Sequence, residues 1–457
     1  MSSSQAPFPA ALFPTDWAAI EAIREANFAT TMDLVCRGHE RTRRLLAARG
    51  LARADFRSLN DLQRLPVTTK RDYADAPDAC RLRLDDLPEE MRTVWDVMYT
   101  TGSSTGLPTP FVSTTFDFHN ILLLQRRMLE IRGVRADDAI ANLFPLTPRP
   151  HGAFIRVLHA AAAMNIPVVS ALPGSPSPYA TLGNELDAVV DVLARSSPTI
   201  LWGVPSYVRR VLARAGERGL KLERVRLVFV TGEGISEPGR EELIRLLHGL
   251  GAPAPAVSVS YGMTEIQGGL VECRAGTGYH NPVPEQFYFE IVDPETHAPV
   301  EDGRPGLILL THLHRRGTVL LRYAIGDITV RERGLCPACG RATDRFVATP
   351  YRADDLVKIK GTLVNPMQAI AAVEGDPEVA EFQLVVEKSD PAAALSMDVL
   401  KLRVAPRSGG GDTLRTRLAE RIKQSVGVTP VVELVTPSAL ETGGWKAKRF
   451  LDLRTRA

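Results

Sequence analysis

The chain has little of what marks several large classes of protein. Five cysteines in 457 residues are too few for a disulfide framework, so a reducing compartment fits. No uninterrupted apolar run of about 18 residues occurs, which argues against a membrane-spanning helix. The opening MSSSQAPFPAALFP has neither the basic segment nor the apolar stretch of a secretory leader. Neither sign of charge is in excess: 55 Lys plus Arg against 53 Asp plus Glu leave a net +2, too weak a field to gather nucleic acid or an anionic membrane. Any anionic ligand must therefore be held by local groups. The expectation is a cytoplasmic protein with neither nucleic acid nor membrane as a partner.

What is present is apolar residue in quantity, 44% of the chain, enough for a large core spread over about two to four domain-sized units. Residues 16–50 are helix-permissive and end on a glycine, so they read as an N-terminal helical layer. From Glu185 onward helical and strand patterns alternate. A helix carrying Leu186, Val189, Val190 and Leu193 precedes a strand over 199–204 and a helix over 206–219. An apolar strand over 225–230, a helix opened by Ser236 and closed by Gly251, and a strand over 256–261 follow. Alternation of this kind predicts an α/β fold with a partly parallel, helix-covered sheet and a site in loops beyond the strand ends. QFYFEIVD, LILLTHL and LLRYAIGDITV then predict a β region over 286–330. Past Arg352 the pattern is that of a small α+β domain, with a last helix whose Leu414, Leu418, Ile422 and Val426 share one face before Gly427. The expected division is a large N-terminal domain over 1–353 and a small C-terminal domain over 354–457.

The segment YTTGSSTGLPTP over 99–110 sets Gly102 and Gly106 among Thr101, Ser103, Ser104 and Thr105. Glycines admit an anion close to the backbone, and hydroxyl and amide groups donate to phosphate oxygens, so this is a candidate polyphosphate loop. It is not a Walker A loop: the G-x-x-x-x-G-K-[ST] spacing is absent, and Leu107 stands where a lysine would follow the glycine. Alone, such a stretch is more often a surface linker.

Cys336-Pro-Ala-Cys339-Gly340 is a two-residue knuckle, and Cys273 lies seven residues before His280. Four N/S donors from two loops suit a closed tetrahedral structural zinc site. A redox pair and two buried thiols are the other readings of the knuckle. A DNA-reading finger is not, because no His-x-x-x-His follows at the required spacing.

Four further segments accompany the Ser/Thr/Gly loop in order: VSVSYGMTEIQGG around Tyr261, LLRYAIGD ending at Asp327, YRADDLVKIKG from Tyr351, and ETGGWKAKRF from Glu441. Together they resemble the motif set of the adenylate-forming superfamily of acyl-CoA ligases, luciferases and adenylation domains. ECRAGTGYHNPVPEQFYFEIVDPET and CPACGRATDRF are similar to its phenylacetate-CoA ligase-like branch, some members of which carry the same Cys/His arrangement. The resemblance spans about residues 95 to 455. It implies ATP-dependent activation of a carboxylic acid, aryl or arylacetic, to an acyl-adenylate, then transfer to coenzyme A with release of AMP and pyrophosphate.

In that family frame Tyr261 with Gly262 lies against adenine, Thr264 reaches a phosphate, and Glu265 holds magnesium. Asp327 takes the ribose hydroxyls, and Arg352 belongs to the same nucleotide set. Gly232, Glu233 and Gly234 of VTGEGIS resemble the adenine-contacting loop; the next glycine, Gly239, is out of place for a dinucleotide fingerprint. The small domain is implied to be mobile, hinged at Asp354, and to carry the catalytic lysine. Trp445 stands where a glycine usually precedes that lysine; Lys446 keeps the Lys-x-x-Arg spacing to Arg449, with Lys448 as the alternative. The phosphate loop also departs, reading Thr101-Gly102-Ser103 for Thr-Ser-Gly and lacking its common lysine at Leu107. FPLTPRPHGAF around His151 resembles the region lining the acyl pocket, with His151 either a gate or a structural histidine. Transfer to a carrier-protein thiol or a nitrogen nucleophile remains open, as does a non-catalytic nucleotide sensor. Enzymes of this kind are commonly homodimers.

Overall fold

The computed structural model describes residues 16–100, 108–146, 152–174, 183–352, 357–359, 362–390, 396–409, 411–440 and 449–454. The chain folds as two compact units. One comprises Met1–Ile140, Thr147–Val168 and Ser258–Ala353; the other comprises Ala141–Leu146, Val169–Val257 and Asp354–Ala457.

The first unit is built on an antiparallel ladder. Strands Phe287–Val292, Pro305–His312 and Tyr323–Glu332 form a meander, and Arg345–Phe346, Tyr279–His280 and Gly268–Glu272 continue it. The long strand begins at Tyr323, not at the preceding LLR, because Arg322 has a left-handed backbone with φ 46. The N-terminal layer is two helices, Trp17–Gly38 and Glu40–Arg49, parted by His39. Extended backbone there lets the His39 ring cap the second helix: Nδ1 accepts from the Thr42 N–H at 3.1 Å while Nε2–H donates to the Val319 carbonyl at 3.0 Å. Burial holds the His39 pKa down to about 4, so the ring stays neutral in this role.

Phe28, Met32 and Val35 of the first helix pack with Leu46, Phe56, Leu62, Leu313 and Val319. Each such side chain contributes roughly 1.5–3 kcal/mol when fully buried. A buried ion pair pins the same helix: Arg24 donates to Asp344 at 2.7 Å and to the Pro284 carbonyl at 2.5 Å. Asn281 also donates to that Asp344 oxygen, at 3.2 Å.

The second unit contains the alternating pattern. Strands Ile200–Gly203 and Leu227–Val230 pair in parallel, all eight residues buried, with helices Leu186–Ser196, Pro205–Glu217 and Glu237–Gly249 before, between and after them. Ser236 caps the last of these helices, accepting from the Gly239 N–H at 3.2 Å. The C-terminal stretch forms a four-stranded sheet in the order Val431–Leu434, Asp398–Pro406, Val379–Lys388, Phe450–Asp452. Its central pair is antiparallel and both outer pairings are parallel. Leu414, Leu418, Ile422 and Val426 of helix Asp412–Val426 bury against it as one face, and Gly427 ends the helix at φ 75. Among the described residues no helix is long and apolar enough to cross a membrane.

Candidate active site and metal centre

The strand Ala256–Met263, which lies in the first unit from Ser258 onward, delivers Tyr261 and Gly262, turns through Thr264–Ile266, and returns as Gly268–Glu272, with Tyr261 opposite Leu270. The return strand passes so close that a Cβ at Gly269 would stand 2.8 Å from the Tyr261 carbonyl oxygen, which explains the glycine. The Tyr261 hydroxyl donates to the Asp327 carboxylate. Arg352, the register partner of Asp327, brings its Nε within 3.2 Å of the other carboxylate oxygen. Three residues singled out from separate motifs thus share one carboxylate.

Glu265 is buried beside them, and burial raises its pKa while the charges of Lys70 and Arg352 oppose the rise. Its turn is braced from behind. His312 Nε2 lies 3.1 Å from the Glu265 carbonyl, and Gln267, left-handed at φ 59, donates its side-chain amide to the Thr264 carbonyl at 2.9 Å. The Gln267 side-chain oxygen accepts from Arg156 at 2.6 Å, and Gln125 donates to its carbonyl at 3.0 Å. Of Thr264 the backbone is engaged in this way and the side chain is half-buried.

Lys70, Arg156 and Gln267 belong to this site although sequence reasoning passed over them. Lys70 opens the short helix Lys70–Asp75, where Thr69 and Asp72 cap one another at 2.9 and 3.1 Å. Thr68 is bound between the Arg322 carbonyl and the Ala324 N–H at 2.9 Å each, which fixes the helix start beside Gly326. Gly326 has φ 83, and a Cβ there would lie 3.5 Å from both Lys70 Nζ and Arg352 Nη1. A capping box was readable around Lys70; its spatial address was not.

In the second unit Gly232, at φ 87, Glu233 and Gly234 follow the C-terminal end of strand Leu227–Val230. This is where helix-covered parallel sheets place their ligands. Glu233 accepts from the Ser206 N–H at 3.3 Å. Thr101, Gly102, Ser103, Ser104, Thr105, Gly106, His151, Asp354, Lys446 and Lys448 lie outside the described residues.

Cys273, His280, Cys336 and Cys339 converge, their donor atoms all within 4.8 Å of one another. Cys339 Sγ is 3.4 Å from His280 Nε2. That matches an edge of roughly 3.5 Å in a tetrahedron with metal–sulfur bonds of about 2.3 Å and metal–nitrogen bonds of about 2.0 Å. His280 Nδ1 lies 3.2 Å from the Val271 carbonyl, which turns the Nε2 lone pair toward the thiols. Burial holds His280 down to about 4, hence neutral, and pushes the Cys273 thiol up to about 11. The knuckle is closed by the Gly340 N–H donating to the Cys336 carbonyl at 2.8 Å, with Gly340 at φ 70. Both knuckle cysteines are free thiols.

Residues 44–314 match the family model of the AMP-binding enzymes, and residues 361–454 match that of the AMP-binding enzyme C-terminal domain. The chain belongs to the AMP-binding enzymes, the adenylate-forming superfamily, within the phenylacetate-CoA ligase-like branch. A phenylacetate-coenzyme A ligase of Thermus thermophilus is 30% identical over 433 residues, covering 90% of this chain and 92% of that one. One from Aromatoleum evansii is 26% identical, covering 98% and 99% of the two chains. Among solved structures, 2-hydroxyisobutyryl-CoA ligase in the postadenylation state shares the fold, with a TM-score of 0.80 and 22% identity over 98% of this chain and 94% of that one.

Proposed function

We propose that the chain is an AMP-forming acid:coenzyme A ligase. A carboxylate oxygen of the acid attacks the α-phosphorus of ATP, and the bond to pyrophosphate breaks. The coenzyme A thiolate then attacks the acyl carbon of the adenylate, and AMP leaves. The observation that carries the reading is the joining of Tyr261, Asp327 and Arg352 on one carboxylate, with Glu265 and Lys70 beside it. An acceptor for ribose hydroxyls, a stacking ring and two cations for phosphate stand together there. The coverage of the phenylacetate-coenzyme A ligases supports it along nearly the whole chain.

Glu265 would hold the magnesium ion whose charge offsets that of the departing pyrophosphate, and Thr264 would meet a phosphate oxygen. Lys70 supplies the cation that the loop of Thr101, Gly102, Ser103, Ser104, Thr105 and Gly106 lacks at Leu107. Gly232, Glu233 and Gly234 face adenine. Lys446 carries the charge that brings acid and α-phosphate together. In the division read from the sequence, residues 1–353 would be the large domain, 354–457 the small one and Asp354 the hinge between half-reactions, with 354–457 packed in the same compact unit as 141–146 and 169–257. Cys273, His280, Cys336 and Cys339 would hold a structural zinc that leaves no position open for chemistry. The acid is aryl or arylacetic, as the names of the curated relatives favour.

The deciding experiment is a screen for pyrophosphate release over aryl, arylacetic and short aliphatic acids, with products separated by HPLC in the presence and absence of coenzyme A. Acid-dependent pyrophosphate and an acyl-CoA product are expected. Release that coenzyme A never converts to thioester would move the acceptor to a carrier protein or a nitrogen nucleophile. No release with any acid would leave only a nucleotide sensor.

A further inference from the structure

Within the second unit, the segment after strand Leu227–Val230 and the segment at Arg449 meet on one carboxylate. Glu374, 7% exposed, accepts hydrogen bonds from the Ser236 N–H at 3.0 Å, from the Ser236 hydroxyl and from the Arg449 guanidinium. Two glycines clear the space for this approach. A Cβ at Gly239 would stand 2.6 Å from Glu374 Cδ, and one at Gly234 would overlap the end of Met367. Arg449 is held further by Glu381 at 3.5 Å and lies over the Phe382 ring at 4.8 Å. Arg209 donates to Glu381 and, at 2.7 Å, to the Ala380 carbonyl. The Arg449 carbonyl accepts from the Leu384 N–H at 2.8 Å, where strand Phe450–Asp452 begins.

A carboxylate this deep is tolerated because three donors satisfy it; its removal would leave Arg449 buried with only part of its counter-charge. The two ends it ties together are placed by the sequence. Ser236 is two residues past Gly234 of the Gly232-Glu233-Gly234 loop, and Arg449 is three residues past Lys446.

We propose that Glu374 is a positioning residue for adenylation, tying the end of the nucleotide loop to the base of the lysine-bearing segment so that one carboxylate sets both. This rests on the reading of Lys446 as the adenylation lysine. Glu374 acts through Ser236 and Arg449 and performs no chemistry itself. Gly239 is the residue that admits it, so a side chain there displaces the tie without deleting any group.

The test uses the full chain and an acid that the unaltered enzyme accepts. Acid-dependent ATP–pyrophosphate exchange and thioester formation from a supplied acyl-adenylate are measured separately for Glu374→Gln and Gly239→Ala. Both variants should lose about tenfold or more in exchange, as small misplacements of reacting groups do, and keep the thioester step. Arg449→Met combined with Glu374→Gln should lose less than the two single losses combined. Gly239 lies in a helix with no positive φ, so alanine suits its backbone, and this variant decides the matter if Glu374→Gln fails to fold. Equal losses in the two half-reactions, or exchange untouched in Gly239→Ala, overturn the role of Glu374 while leaving the ligase reading intact. An unaltered enzyme that exchanges pyrophosphate with no acid removes both.

Discussion

The Tyr261 hydroxyl donates its hydrogen to the carboxylate of Asp327, 66 residues further along the chain, while Arg352 holds the other oxygen of that carboxylate at 3.2 Å. The aspartate is thereby fixed in orientation, which lowers the ordering cost for any ligand it accepts from.

Asp327→Ala should therefore weaken ATP binding by more than the loss of a single surface contact. Charge-assisted hydrogen bonds to the two ribose hydroxyls are worth roughly 1.5–3 kcal/mol each before compensation. Calorimetry should show the dissociation constant for ATP rising about tenfold to a hundredfold. An unchanged constant would remove Asp327 from the nucleotide site.

Lys70→Met tests a residue that no motif announced. Its ammonium stands beside Gly326 and acts on Glu265, so its loss should raise the KM for ATP by about tenfold, the scale of one charge-assisted phosphate contact. The melting temperature should stay close to that of the unaltered chain, since the capping pair Thr69 and Asp72 remains. A KM that does not move would assign Lys70 to the surface.

Protein made in zinc-replete medium should carry about one zinc per chain by elemental analysis, because the donor set is already gathered. Cys336→Ser should lose the metal and melt earlier. Full stability without metal in the unaltered chain would return the four residues to the core as ordinary side chains.

Lys446→Ala should lower acyl-adenylate formation by about a hundredfold or more, the range for removal of one transition-state donor. Thioester formation from supplied acyl-adenylate should persist. If Lys448→Ala shows this loss instead, the lysine lies two residues further on.

The motifs were legible because each spells a chemistry locally: Tyr261 to Glu265, Asp327 and the Cys336-Cys339 knuckle carry their donors within a few residues. The alternating helices and strands before Tyr261 were legible for a similar reason, since period and caps are local. What escaped depends on contacts across the chain. Thr68 pairs with the strand beginning at Tyr323, and only that pairing gives Lys70 its place. Arg156 serves the site through Gln267, 111 residues away, a partnership no spacing rule encodes. His39 interrupts what reads as one helical layer because Val319 offers its ring an acceptor. The packing of residues 169–257 with 354–457 likewise depends on Arg209, Ser236 and Glu242, whose partners lie far along the chain.

The ion pair of Arg24 with Asp344 spans 320 residues and sets a schedule for synthesis. A ribosome adding about 5–20 residues per second needs roughly 16 to 64 s between the two. For most of that interval the apolar face of Phe28, Met32 and Val35 has no Leu313 or Val319 to cover it. The first helix is thus made early and seated late, so nascent chains stalled before Asp344 should be the species that holding chaperones capture and that aggregates when they are scarce.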